Sequence, residues 1–112
     1  MPDEREFTLR DAMKGNTHWD SEESVSYEVA LEAVNAAVGA FSGRIHLEKK
    51  RASPDRDILE KLDGNRGWCI RQRQVLEPTD RRQIAAARQY FSELTRRVRE
   101  GGSIEVDESW WQ

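Results

Sequence analysis

Apolar side chains recur along this chain at intervals of three and four residues, in three separate runs. In the first, Tyr27, Leu31, Val34, Val38, Phe41 and Ile45 step by 4, 3, 4, 3 and 4 positions. That spacing keeps them on one side of a helix, whereas a strand would scatter them over both faces. Sustained for nearly three heptads, it makes a seam of the coiled-coil kind. Asp20-Ser21-Glu22-Glu23 supplies a start signal, with an acceptor side chain and a Glu three residues on. Lys49, Lys50 and Arg51 suit the negative end of the helix dipole. The pattern predicts a helix over about 21–51, roughly 45 Å long. Gly39 and Gly43 fall inside it, each at a cost of about 1 kcal/mol relative to Ala, and read as a kink or a close helix approach.

Ser53-Pro54-Asp55 opens the second run as a cap, a proline at the first helical position and an acid. Ile58, Leu62, Cys69 and Leu76 share one face, with Asn65 and Gln72 completing the rhythm. Asp63-Gly64-Asn65-Arg66-Gly67, taken alone, reads as a turn. Either one helix covers about 54–77, or a loop divides two short ones. The phase is unchanged across the glycines, which favours one helix. Pro78 then ends it, because proline disfavours helix in the residue before it. The third run starts at Thr79-Asp80, with Gln83 at a boxed position. Ile84, Ala87, Phe91, Leu94 and Val98 carry it over about 80–100, to the stop at Gly101-Gly102.

The links at Ala52-Ser53 and Pro78-Thr79 are short, so consecutive helices should lie antiparallel. The expectation is an all-α protein, an up-down-up three-helix bundle with long coiled-coil-like helices. Residues 20–101 form the helical domain, flanked by an N-terminal tail at 1–19 and an acidic, Trp-containing tail at 102–112. Phe7-Thr8-Leu9 and Ile104-Glu105-Val106 alternate apolar and polar side chains, a short extended pattern compatible with mobile tails, a ribbon between them, or strand addition to a partner.

With 112 residues, 37% hydrophobic and 35% charged, the chain has material for one domain with a thin core. No apolar run of roughly 18 residues is present, so no membrane span is expected. Met1-Pro2-Asp3-Glu4-Arg5-Glu6 is not a secretory leader, and the single Cys69 cannot form an intrachain disulfide; both fit a cytoplasmic protein. The net charge of -3 hides an uneven distribution: -6 over 1–43, +7 over 44–99 and -4 over 100–112.

Catalysis finds little support. Cys69 has Arg66 and Arg71 nearby in sequence, but lies on the seam with Leu62 and Leu76, as a small core residue would. His18 and His46 have no second ligand at metal spacing, and Glu28 with Glu32 lacks a histidine to work with. Gly64 and Gly67 lack the strand and the Gly-Lys-Ser/Thr of a phosphate loop. No enzyme, metal or cofactor is expected.

Binding is better motivated. Trp19, Leu59, Trp68, Ile70, Val75, Tyr90, Trp110 and Trp111 are left over by the three seams, and Trp, Tyr and Arg dominate interface hot spots. The first expectation is a small protein-binding module, an antitoxin- or immunity-like inhibitor or an adaptor. Its anchors would be Trp68, Tyr90, Trp110 and Trp111, with Asp107 and Glu108 steering toward positive charge. Its partner would be another protein or a second copy of itself, the latter giving a homo-oligomeric scaffold. The acidic tail could alternatively fold back on the chain's own arginines. A nucleic-acid-binding regulator is the competing expectation, using Arg71, Arg81, Arg82 and Arg88, although an acidic chain is an unusual setting for it.

Overall fold

The computed structural model describes residues 21–112. They form three helices, α1 (Ser21–Lys49), α2 (Arg56–Val75) and α3 (Arg81–Arg99), with no strand among the described residues. The all-α three-helix expectation holds. The helix α2 runs unbroken through Gly64 and Gly67, so the conserved phase of its seam outweighs the local turn signal. Asp20, Trp19 and the Phe7–Leu9 segment lie outside the described residues.

The helix ends follow the chemistry of their caps. Asp55, rather than Ser53, caps α2: its carboxylate accepts from the N–H groups of Asp57 and Ile58. The helix therefore begins at Arg56, and Pro54 lies outside it. The shift has a cause in Glu48, buried at the end of α1. Its Oε2 accepts from the N–H of Asp55 at 2.9 Å and pairs with Arg51, which fixes the chain on both sides of the link. That N–H bond is the main reason the Glu48 carboxyl lies below its ordinary range.

Asp80 caps α3 by accepting from the N–H of Gln83 at 3.0 Å. The Gln83 side chain does not close a capping box on that helix. It reaches back across the link, where its Oε1 accepts from the Glu77 N–H at 2.6 Å and its Nε2 donates to Val75 O at 3.0 Å. One glutamine thus satisfies a carbonyl that the end of α2 leaves without a helical partner. At the other end, Arg44 of α1 donates to Val98 O of α3 at 3.0 Å, a carbonyl that also accepts from the Gly101 N–H at 3.2 Å.

The helix α1 is the centre of the architecture. It packs along both α2 and α3, while α2 and α3 have few close backbone approaches to each other. A helix with neighbours on two sides needs a wide buried face, and small residues let the backbones come close. Ala30, Val34, Ala37, Ala40, Phe41 and Ile45 are buried, whereas Tyr27, Leu31 and Val38 lie at the flanks and are half-buried. The seam read from bulky residues alone is therefore displaced. Gly39 and Gly43 mark no close approach: a Cβ at either would meet nothing within 4 Å.

On α3 the seam matches fully, with Ile84, Ala87, Phe91, Leu94 and Val98 all buried. On α2, Leu62, Cys69 and Gln72 are buried, as is Leu76 just past its end. Trp68 is buried too, which a single seam facing α1 does not explain.

Candidate functional site

The space that α2 and α3 leave between them is filled by the segment after α3. Gly101, at φ +80°, turns the chain in a left-handed conformation that glycine adopts without penalty. Gly102 donates to Arg97 O at 2.9 Å, and a Cβ there would lie 2.9 Å from Arg97 Cγ and 3.1 Å from its carbonyl oxygen. The chain then runs back along α3 in an extended conformation, close to α2, and ends in a turn over Glu108–Trp111.

The groove residues hold this segment chiefly by its main chain. Arg97 donates through Nε to Ser103 O at 2.9 Å and through Nη2 to Glu105 O. Asn65 Nδ2 donates to Ile104 O at 2.7 Å. The N–H of Asp107 donates to the Tyr90 hydroxyl at 2.7 Å, and Lys61 forms an ion pair with Glu105. Asp107 then organises the turn by accepting from both the Ser109 hydroxyl and its N–H. These two bonds hold its carboxyl below the ordinary range.

The turn delivers Trp110 into an aromatic cluster. Its ring centroid lies 5.1 Å from Phe91 and 6.2 Å from Tyr90, and Trp68 closes the group at 5.9 Å from Phe91. The edge-to-face and offset arrangements here are the favourable ones for aromatic quadrupoles. The Trp110 indole N–H donates to Gln72 Oε1 at 3.0 Å, inside the protein. The other end of that amide, Nε2, donates to Trp68 O at 3.3 Å. Burial of Tyr90 among these rings raises its hydroxyl above its ordinary value.

The expected anchors therefore divide. Trp68 and Trp110 are each only 8% exposed and are spent inside the molecule, so neither is an available surface anchor as the sequence reading had it. The reason is the fourth packing layer: three helical seams account for three helices, and the leftover aromatics cover the groove between two of them. Tyr90 is half-buried and engaged by the tail. Trp111 remains 40% exposed, with Asp107 and Glu108 at the surface. The acidic segment folds back on the chain's own cations at Lys61 and Arg97.

No family model, curated protein or solved structure matches this chain.

The arginines are also divided. Arg81 donates to Glu23 Oε1 at 3.1 and 2.9 Å. It lines a shallow pocket between α1 and α3 with Arg88, Glu22 and Ser26, so acids of α1 oppose the cations there. Arg82 is exposed on α3, and Arg71 is exposed on α2, outside that pocket. Cys69 is a buried free thiol, pushed by burial up to about 12, and no charged group among the described residues lowers it. Among the described residues no group of three or more His, Cys, Asp and Glu is placed to hold a metal ion. No described helix is long and apolar enough to cross a membrane.

Sequence reasoning missed the groove residues that grip the tail: Lys61, Asn65, Gln72 and Arg97. The available signal was Asn65 and Gln72 themselves. Polar amides at seam positions have to be hydrogen-bonded when buried, and three apolar seams offered them no partner.

Proposed function

We propose that this chain is a small non-catalytic protein-binding module, of the inhibitor or adaptor kind, and that it presents Trp111 with Glu108 and Asp107 to a basic surface on another protein. The observation that carries this reading is the pairing of two neighbouring indoles. Trp110 is fixed in the core, and Trp111 follows it directly with a ring-centroid separation of 6.3 Å while 40% exposed. A surface indole held by a packed neighbour loses little further freedom on binding, which favours affinity, and aromatic residues are the commonest interface anchors. The exposed carboxylates beside it would speed encounter with a cationic partner. Affinity capture from the source cell tests this with wild type and Trp111→Ala side by side. A stoichiometric partner retained by wild type and lost from the variant is the expected result. Equal recovery with both, or no stoichiometric partner, overturns it.

A second reading rests on Arg82, Arg88 and Arg71, which are exposed and make no ion pair among the described residues. Such guanidinium groups can bind phosphate. This reading predicts a mobility shift with nucleic acid at low salt that falls steeply as salt is added, and its absence removes the reading.

A further inference from the structure

The contacts that hold the C-terminal segment are those of a peptide-binding groove. Four main-chain groups in five residues are engaged by side chains of the helices: the carbonyls of Ser103, Ile104 and Glu105 and the N–H of Asp107. Bonds to main chain are indifferent to sequence, so any extended peptide could make them. Selectivity then comes from two positions. Lys61 faces the Glu105 side chain, and the Phe91 and Tyr90 rings, backed by Trp68 and joined by Gln72 Oε1, receive the Trp110 indole. Main-chain bonds for affinity combined with pockets for particular side chains is the division of labour by which proteins capture extended segments.

We propose that the α2–α3 groove is a peptide-binding site for which the chain's own C-terminal segment is a built-in competitor. Its ligand is an extended acidic segment of a partner protein, with a carboxylate at the Lys61 position and a tryptophan five residues further on. This deepens the protein-binding reading and rests on it, but places the contact in the groove rather than on Trp111. The tethered segment acts at an effective concentration on the order of millimolar. A free peptide of equal intrinsic affinity therefore has to overcome it, and weakening the tether's anchor lowers the concentration needed.

The test uses the full chain, as wild type and as Trp110→Ala, and a labelled peptide with the sequence of residues 103–112 as the probe. Far-UV circular dichroism first checks that the variant keeps its helices. The expected result is saturable binding to the variant at least tenfold tighter than to wild type. Changing tryptophan to alanine at the anchor position of the peptide, or adding Asn65→Ala with Arg97→Ala in the groove, should weaken it at least tenfold. A folded variant that binds no tighter than wild type overturns the proposal. If the variant loses helix, wild type is titrated to several millimolar peptide while the Trp110 indole N–H resonance is followed. Displacement of that resonance supports the groove, and no displacement overturns it. Light scattering separates the remaining case: a wild-type dimer that dissociates when peptide is added makes the occupant a second copy and overturns the partner assignment. The affinity capture with Trp111→Ala reads the exposed indole without the peptide titration, so failure here and failure of the Trp111 reading are told apart.

Discussion

The Trp110 indole N–H and the Gln72 side-chain oxygen meet at 3.0 Å between two segments 38 residues apart, and this bond joins the tail to the second helix inside the protein. Both partners are buried, so the bond is costly to break. Trp110→Ala removes a core indole and should destabilise the fold by about 3–5 kcal/mol. Gln72→Leu keeps the volume near Trp110 but leaves the indole N–H without an acceptor, which costs about 1–3 kcal/mol. Urea unfolding of the three proteins checks both, and a tail that contributes nothing to the fold would leave the midpoint of Trp110→Ala unchanged.

Glycines at different places should respond with opposite signs. Gly39→Ala and Gly43→Ala replace the least helix-favouring ordinary residue where a Cβ meets nothing, and each should stabilise by about 0.5–1 kcal/mol. Gly102→Ala sets a Cβ at 2.9 Å from Arg97 Cγ and 3.1 Å from the Arg97 carbonyl oxygen. It should lower the thermal midpoint, because the backbone oxygen cannot move aside without opening the turn that starts the tail.

Glu48 predicts a pH dependence. Its folded carboxyl lies below the ordinary value of 4.5, chiefly because it accepts the Asp55 N–H. A depressed carboxylate adds stability that is present above the unfolded value and lost as pH falls through the folded one. Wild type should therefore exceed Glu48→Gln in stability at neutral pH, and the gap should close on acidification below about 4.5. Denaturant midpoints measured from pH 7 down to pH 3 give the comparison, and a gap that stays constant would contradict the assignment.

Cys69 should be inert in the native protein. Burial holds its thiol at about 12, so only about one part in 10,000 is thiolate at pH 8. Labelling by a disulfide reagent should proceed no faster than the protein opens and should accelerate sharply in denaturant. Immediate labelling of native protein would show that the thiol is accessible.

The parts of the fold legible in the sequence are those where one face carries the decision. Ile84 through Val98 all lie on one buried face of α3, and their period alone identified it. The bond-forming residues at the helix ends were less legible, because Gln83 and Glu48 act across a link rather than within a helix. The central helix was read with its face displaced, since alanines such as Ala30 and Ala37 carry little hydrophobic signal yet mark where backbones approach. Trp68 and Trp110 were visible as surplus but not as partners. Nothing in a linear period says that residues 42 positions apart share a cluster, and the acidic content of the tail fitted a basic partner and the chain's own arginines alike. Asn65 and Gln72, two amides on an apolar seam, were the one local sign that the chain returns there.

The segment after α3 is a folded part of the molecule, anchored by Trp110 between α2 and α3. Hydrogen exchange of the Trp110 indole N–H, followed by NMR on the full chain, reads this anchoring at its own atom. Slow exchange is expected, with protection approaching that of buried helical amides such as Leu94 and well above that of the Trp111 indole. Exchange of both indoles at the rate of a free tryptophan would mean that the segment is not packed in the groove.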